Sequence, residues 1–308
     1  MNPVPRFPTP LKKNDTLGII APAGSLKDQE KMRKGLMILQ EMGFSVKFPR
    51  DLWPGQNYLA DSDENRAKEL NNVFRDPEVQ GIIALRGGYG CLRILDKIDL
   101  GLIERNPKPL IGFSDITILQ NYLYNSIGLI SFHGPVVTSL ASADFTTHLQ
   151  LLCCLEGGWR LQFDKIKVEV LRQGPAVSGP LIGGNLSSLT CLLGTRYDCS
   201  WKGAIVFLEE TNEPIYKIDR MLTQLFLSGK FDQAAGLILG DFSCQSQYHR
   251  AEKERYKESV WQRVLEVTQD TALAVWAEFP SGHTSANLTF PLGIHVQMHR
   301  DSARLVPC

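Results

Sequence analysis

A serine followed by an aspartate stands between an apolar run and a helical pattern in the first half of the chain. Residues 110–113 predict a short strand, and the helix expected after Ser114 continues to about Tyr124. A serine at such a turn lies at the helix N-terminus, where the helix dipole and free backbone N–H groups stabilise an oxyanion. This arrangement is typical of a nucleophile elbow, although Ile116 occupies the position of the second glycine of Gly-x-Ser-x-Gly. A serine here is also a common helix N-cap, so the nucleophile hypothesis needs support from elsewhere.

A nucleophilic serine requires a base that takes its proton and an acid that orients the base. Of the six histidines, His133 and His283 each lie in a glycine-rich loop just after a predicted strand. The residue types favour His283 as the base, whereas His133 also fits a wall residue or a structural histidine. Both histidines remain candidates on chemistry alone.

Two adjacent glutamates are the candidates for the orienting acid. Glu209 and Glu210 come at the end of the strand predicted over residues 203–208. Because side chains alternate along a strand, only one of them is expected to face the site, and the pattern does not say which.

A glycine-rich loop follows the strand predicted over residues 81–85. It reads Arg86-Gly87-Gly88-Tyr89-Gly90, and its Gly87 and Gly88 are candidates for a second oxyanion donor. Glycine permits the positive φ and the close backbone approach that such a donor needs. The loop matches neither G-x-G-x-x-G nor a Walker motif, so a nucleotide-phosphate site is disfavoured.

No metal site is expected from the spacing of the histidines. His295 and His299 lie four residues apart on a predicted strand, which separates them by about 13 Å at 3.3 Å per residue. That distance is too long for one metal ion, and no other pair has metal-ligand spacing.

Strands and helices alternate along the first half, and the strands are apolar throughout. This pattern predicts an α/β fold with an N-terminal, mostly parallel sheet flanked by helices. The carboxyl ends of parallel strands meet at one edge of a sheet, and both Gly88 and Ser114 follow such ends.

The regular alternation of strands and helices changes after residue 157. We therefore expect an N-terminal domain over 1–157, a linker over 158–178, and a smaller C-terminal α/β domain rich in β-strand over 179–308.

Composition indicates an ordinary globular protein. The 308 residues are 43% hydrophobic and 21% charged, and the net charge is zero. Zero net charge argues against a nucleic-acid partner and against a polybasic membrane signal. No apolar run reaches the roughly 18 residues of a membrane-spanning helix. The first residues lack the hydrophobic segment of a signal peptide, and the seven cysteines contain no C-x-x-C pair, so we expect reduced thiols in a cytoplasmic protein.

With these pieces together, the sequence resembles the LD-carboxypeptidase family of serine peptidases. That family includes muramoyltetrapeptide carboxypeptidases and microcin C self-immunity peptidases. The resemblance runs along nearly the whole chain, with two minor departures, Gly24 in place of a serine and Phe113 in place of a tyrosine. It is carried by residues 20–23, 59–63 with Arg66, 86–90, 106–108, 112–117, 133–135, 183–186, 208–210, 218–222 and 282–283.

The resemblance implies a role for each candidate residue. Ser114 would be the nucleophile, Glu209 the acid and His283 the base, in a cleft between the two domains. The backbone N–H groups of Gly88 and Asp115 would form the oxyanion hole. Four further residues are expected to contact the substrate, namely Arg86, Gly87, Tyr89 and His133.

The implied reaction is hydrolysis of the L,D amide bond that releases terminal D-alanine from cytoplasmic murein tetrapeptides during peptidoglycan recycling. The implied enzyme is a homodimer with a small peptide substrate and no cofactor. Two alternatives stay open: a microcin C immunity-type peptidase that cleaves peptidyl or aminoacyl nucleotides, and a catalytically silent muropeptide-binding protein. An α/β-hydrolase esterase shares the order serine, acid, histidine, but the missing second glycine and the unusual glycine loop disfavour it.

Overall fold

The computed structural model describes residues 3–48, 55–159, 166–243, 249–299 and 304–307. The chain divides into two compact units, and each has its own sheet. The first unit comprises Met1–Trp159 and Leu288–Gly293, and the second comprises Arg160–Asn287 and Ile294–Cys308.

The first unit contains a six-stranded sheet. Five of its strands run parallel, and the sixth, β11, pairs antiparallel with β5. The strands in sheet order are β11 (Phe290–Leu292), β5 (Ser131–His133), β4 (Leu110–Gly112), β3 (Gly81–Ala84), β1 (Thr16–Ile20) and β2 (Ser45–Lys47).

Among the described residues of this unit, six α-helices and one 3-10 helix accompany the sheet. The helices are α1 (Gln29–Glu41), α2 (Asp63–Arg75), α3 (Leu100–Arg105), α4 (Ile116–Ile127), α5 (Val137–Leu140) and α6 (Phe145–Leu155), and the 3-10 helix is Cys91–Lys97. Helix α2 begins because the Ser62 side chain accepts a hydrogen bond from the Asn65 N–H, which satisfies one of the unpaired donors of its first turn.

The central strands of this sheet are apolar on both faces, as the sequence predicts for a covered parallel sheet. Leu17, Ile19, Ile82, Ile83 and Ile111 are all completely buried. Each such side chain stabilises the fold by about 1.5–3 kcal/mol relative to an exposed one. A rigid core therefore lies directly behind the two loops that follow β3 and β4.

The second unit contains a seven-stranded mixed sheet with a parallel centre. Its strands in sheet order are β13 (Arg304–Pro307), β12 (His295–His299), β7 (Val177–Asn185), β8 (Ile205–Thr211), β9 (Gly236–Ser243), β10 (Ala274–Ala277) and β6 (Glu169–Arg172). Strands β7 to β10 run parallel, whereas β12, β13 and β6 pair antiparallel. The helices of this unit are α7 (Leu186–Thr190), α8 (Ile215–Leu227), α9 (Lys230–Gln233) and α10 (Arg250–Val267).

The predicted fold class, a mostly parallel N-terminal α/β sheet followed by a strand-rich α/β region, is confirmed. Three local features differ from the expectation. The segment expected as a linker contains β6, with residues 160–165 outside the described residues. Strand β11 joins the first unit although it lies late in the chain. Strand β8 continues to Thr211, so both glutamates lie inside the strand rather than after it.

No helix within the described ranges is long and apolar enough to cross a membrane.

Candidate active site

Ser114 lies between β4 and α4 with a φ of 63°. This left-handed conformation is uncommon for residues other than glycine and costs about 1–3 kcal/mol. The turn closes through two hydrogen bonds, from Ile116 N–H to Phe113 O at 3.3 Å and from Thr117 N–H to Ser114 O at 2.9 Å. Such strain at a strand-to-helix turn is what a nucleophile elbow requires, because it lifts the serine side chain out of the strand.

The glycine-rich loop after β3 passes directly against Ser114. A methyl group placed on Gly87 would lie 2.7 Å from Ser114 Cβ and 2.8 Å from Ser114 Oγ. The neighbouring Gly88 has a φ of +119°, which L side chains rarely adopt. The structure thus brings Gly87, Gly88 and Ser114 together within the first unit.

Arg86 braces this loop. Its Nη1 donates to Ser25 O at 2.7 Å, and its Nε donates to Gly87 O at 3.2 Å. The Gly24 N–H donates to the same Gly87 carbonyl at 3.2 Å. Burial lowers the pKa of the Arg86 guanidinium from its ordinary value.

Tyr89 is the exposed member of the loop. Its side chain is 44% exposed, and its ring centroid lies 5.8 Å from that of Tyr58, which is also exposed. The loop therefore presents an aromatic surface next to the glycines that approach Ser114.

Asp115 is the N-cap residue of α4, but its side chain does not cap that helix. Its Oδ2 accepts a hydrogen bond from the Cys91 N–H at 2.8 Å. The carboxyl group is buried, and this burial raises its pKa to about 6. The backbone N–H of Asp115 belongs to the helix N-terminus, where N–H groups have no intrahelical partner.

His133 lies on β5 and is completely buried in the first unit. Its ring stacks on Phe290 at 5.0 Å between centroids and meets the edge of Phe113 at 6.0 Å. These surroundings are those of a wall or structural histidine.

The second unit holds the other pair of candidate residues in direct contact. His283 Nδ1 and Glu209 Oε2 lie 2.7 Å apart. Because a carboxylate only accepts hydrogen bonds, Nδ1 carries the proton and Nε2 is left as the acceptor nitrogen. Glu209 is completely buried, and the His283 side chain is 20% exposed.

Electrostatics favour a basic His283. Burial lowers the pKa of the imidazole, but the charge and the hydrogen bond of Glu209 outweigh burial, and the net result is a raised pKa. Glu210 and Asp241 add smaller contributions in the same direction. The pair therefore has the electrostatics of an oriented general base.

Glu210 makes different contacts. Its carboxylate accepts hydrogen bonds from Asn185 Nδ2 at 3.0 Å, Ser187 N–H at 2.8 Å and Thr211 N–H at 2.8 Å. Burial, followed by the charge of Glu209, raises the pKa of Glu210. The two adjacent glutamates thus serve separate partners, as alternation along a strand requires.

Sequence reasoning overlooked one carboxylate beside this pair. A methyl group on Gly282 would lie 2.9 Å from Asp241 Cβ and 3.3 Å from Glu209 Oε2, so the two acids flank the same glycine. Burial, and then the charge of Glu209, raise the pKa of Asp241 to about 6. The position of Asp241 in the sequence could have indicated it, because Asp241 follows the apolar stretch of β9 just as Glu209 follows the apolar stretch of β8.

Among the described residues, no group of three or more histidine, cysteine, aspartate or glutamate side chains is arranged to hold a metal ion.

Family models match both halves of the chain. The LD-carboxypeptidase N-terminal domain matches residues 17–134, and the LD-carboxypeptidase C-terminal domain matches residues 178–298. A probable murein peptide carboxypeptidase of Bacillus subtilis is 35% identical over 297 residues, which cover 95% of this chain and 91% of that protein. A murein tetrapeptide carboxypeptidase of Pseudomonas aeruginosa is 32% identical over 286 residues, or 90% of this chain and 91% of that protein.

A solved structure extends the similarity to the fold. The crystal structure of an MccF-like protein from Bacillus anthracis has a TM-score of 0.83 and 26% sequence identity, and the match covers 98% of both chains. Both domain models match in order, and curated relatives above 30% identity align over nearly their full lengths. The chain therefore belongs to the LD-carboxypeptidase family of serine-type hydrolases.

Proposed function

We propose that this protein is a serine carboxypeptidase that hydrolyses an L,D amide bond and releases the terminal D-alanine of murein tetrapeptides. The observation that carries the proposal is the buried Glu209–His283 hydrogen bond of 2.7 Å, which leaves Nε2 as a base. Ser114, held at a positive φ against Gly87, is the nucleophile in this proposal. Relatives named as murein peptide and murein tetrapeptide carboxypeptidases support the choice of substrate.

The proposed mechanism has two halves. His283 Nε2 takes the proton of Ser114 as Oγ attacks the scissile carbonyl, and Glu209 stabilises the imidazolium through Nδ1. The backbone N–H groups of Gly88 and Asp115 donate hydrogen bonds to the oxyanion, each lowering the barrier by about 3 kcal/mol. His283 then gives its proton to the leaving amine of D-alanine. A water molecule, deprotonated by the same histidine, hydrolyses the acyl-enzyme and regenerates Ser114.

Four residues are proposed to shape the substrate site. Tyr89 is supported by its exposed ring, and Gly87 by its contact with Ser114. Arg86 and His133 already have partners in the protein, so we propose that they act by shaping the loop and the wall of the site.

The family context also supports a cytoplasmic homodimer that acts in peptidoglycan recycling. Sedimentation of the purified protein tests the dimer, and cell fractionation tests the location. A monomer, or a protein found outside the cytoplasm, would contradict these parts of the proposal without affecting the chemistry.

A second candidate function is cleavage of peptidyl or aminoacyl nucleotides. It is favoured by the MccF-like structural neighbour, since MccF is described as a microcin C7 self-immunity protein. The same nucleophile, base and oxyanion donors would serve this reaction, because both substrates present an amide carbonyl. A silent muropeptide-binding protein is the third outcome that the experiment below separates.

The test is release of free D-alanine from murein tetrapeptide, with the wild type beside Ser114→Ala and a chelator present throughout. A tetrapeptide that ends in L-alanine is the stereochemical control. Release by the wild type alone, and only from the D-terminal peptide, is the expected result. If no D-alanine appears but aminoacyl sulfamoyl adenylates are cleaved, the second candidate replaces the first. Binding without turnover of either substrate would overturn both enzymatic functions.

A further inference from the structure

Two buried, oppositely charged side chains hold one peptide unit of the glycine-rich loop. We propose that Arg66 and Asp115 are positioning residues that clamp the peptide between Gly90 and Cys91. The clamp fixes the loop that carries Gly88 against the turn that carries Ser114. This inference rests on the proposed function, in which Gly88 and Asp115 donate to the oxyanion.

Arg66 supplies the cationic side of the clamp. Its side chain is completely buried although it lies in the first turn of α2. Its Nη1 donates to Gly90 O at 3.0 Å and also to Pro22 O, while its Nε donates to Asp61 O at 3.1 Å. Its Nη2 pairs with Asp63. One guanidinium therefore joins three chain segments through their carbonyl groups, a task that suits its rigid fork of donors.

Asp115 supplies the anionic side. Its Oδ2 accepts a hydrogen bond from the Cys91 N–H at 2.8 Å. That N–H and the Gly90 carbonyl belong to the same peptide group. The Arg66 guanidinium therefore donates to the oxygen of this peptide group, and the Asp115 carboxylate accepts from its N–H. Hydrogen bonds to charged partners are stronger than neutral ones, and low dielectric strengthens them further.

The glycine at position 90 is part of this arrangement. Its φ is +139°, and a methyl group there would lie 2.8 Å from Arg66 Nη1 and 2.8 Å from Leu59 Cδ2. The close approach of the guanidinium to the loop backbone therefore requires a glycine.

The clamp links the two proposed oxyanion donors through one residue. Asp115 offers its own backbone N–H, and its carboxylate anchors the peptide that lies two residues beyond Gly88. Without the clamp, the Gly88 N–H can shift relative to Ser114 while the fold survives. A displacement of about 1 Å at such a donor costs roughly 100-fold in rate.

The first test compares Arg66→Gln with Lys108→Gln. Lys108 is a matched control because it is also buried, and it donates to the carbonyls of Val73 at 2.9 Å and of Asp76 at the other end of α2. Both variants are expected to lower Tm. Only Arg66→Gln is expected to lower kcat, by about 10- to 100-fold, with KM changed less than threefold. Equal kcat values for the two variants would overturn the inference.

Asp115→Asn is a second variant that keeps an acceptor for Cys91 but removes the charge. We expect Asp115→Asn to lower kcat by about tenfold. In the double variant with Arg66→Gln, the total loss of kcat should be smaller than the product of the two single losses. Multiplicative losses would mean that the two residues do not act on one peptide unit.

Two further readouts separate this inference from the proposed function. A peptidyl boronic acid forms a tetrahedral adduct with a serine nucleophile. In Arg66→Gln its inhibition constant should therefore rise in proportion to the loss of kcat, while the affinity for the product tripeptide stays constant.

Amide hydrogen exchange over residues 87–91 should accelerate in Arg66→Gln and not in Lys108→Gln, whether or not a substrate is found. Unchanged exchange refutes the clamp itself, whereas an inactive wild type with accelerated exchange in Arg66→Gln refutes only the proposed function.

Discussion

Glu209 Oε2 lies 2.7 Å from His283 Nδ1, although 74 residues separate the two in sequence. Glu209 occupies a point of β8 where the register against β9 shifts between Leu208 and Glu210. Such an irregularity re-aims a side chain, and here it accompanies a carboxylate directed at the imidazole. The hydrogen bond selects the tautomer with Nε2 as acceptor.

We predict that Glu209→Gln lowers kcat by about 10³- to 10⁴-fold, because the amide no longer enforces the base tautomer or stabilises the imidazolium. Glu210→Gln is the matched control, since it alters an equally buried carboxylate whose partners are Asn185, Ser187 and Thr211. Steady-state kinetics of D-alanine release should show a loss of less than tenfold in the control. Similar losses in both variants would contradict the assignment of Glu209.

The activity should depend on pH through the protonation of His283 beside Glu209. In the proposed mechanism His283 must be neutral to accept the serine proton, so kcat/KM should fall as the pH drops through its pKa. Despite burial, the charge and hydrogen bond of Glu209 raise that pKa above the ordinary 6.5, so the acidic limb of the wild-type profile should lie above this value. Glu209→Gln removes the raising charge and should move the limb to lower pH. A limb that stays in place would show that another group titrates.

We expect Ser114→Ala, His283→Ala and the double variant to lose activity equally, by about 10⁴-fold or more, because a nucleophile and its base, as proposed for these residues, act as one unit. The residual rates of D-alanine release measure this directly. A double variant much slower than either single one would show that the two residues act independently, and an active Ser114→Ala would exclude the serine as nucleophile.

Gly87→Ala tests the contact between the loop and Ser114. The new methyl would lie 2.8 Å from Ser114 Oγ, and the resulting displacement should cost about 100-fold or more in kcat. Gly101→Ala in α3 is the control, because its nearest neighbour is the flexible end of Arg105 at 3.4 Å. That variant should keep its activity and gain about 0.5–1 kcal/mol of stability. Normal kcat in Gly87→Ala would mean that the loop can move away from Ser114 without cost.

Asp241→Asn is predicted to stabilise the protein above pH 6. Burial and the charge of Glu209 raise the Asp241 pKa to about 6, so the folded state binds a proton that the unfolded state has released, and stability falls as the pH rises from about 4 to 6. The ionised group then costs up to about 3 kcal/mol, at roughly 1.4 kcal/mol per pKa unit. Urea unfolding at pH 4 and at pH 7.5 measures the difference in the free energy of unfolding between the variant and the wild type, which should be small at pH 4 and positive at pH 7.5. A difference independent of pH would show that the carboxyl group does not titrate there.

Local patterns predicted most of the secondary structure. The helix expected after Ser114 to about Tyr124 is observed as Ile116–Ile127, and the strand expected over 110–113 is observed over Leu110–Gly112. Periodicity succeeds here because each helix buries one apolar face and each central strand buries both of its faces. The end of β8 was missed because a buried glutamate pair looks like a strand terminus when its partners are unknown.

Apolar periodicity and residues that are neighbours along the chain predicted the α/β class, the strand-to-helix turn at Ser114 and the glycine-rich loop. The residue pattern left Glu209 and Glu210 open, and the family resemblance favoured Glu209. The contact of Glu209 with His283 is visible in the folded structure, because the direction of each side chain depends on register against other strands. The pairing of β11 with β5 and the burial of Arg66 were decided in the same way. From the sequence alone, a charged residue in a helix is expected to face solvent. Arg66 is buried instead, because backbone carbonyl groups from distant segments accept its hydrogen bonds in place of water.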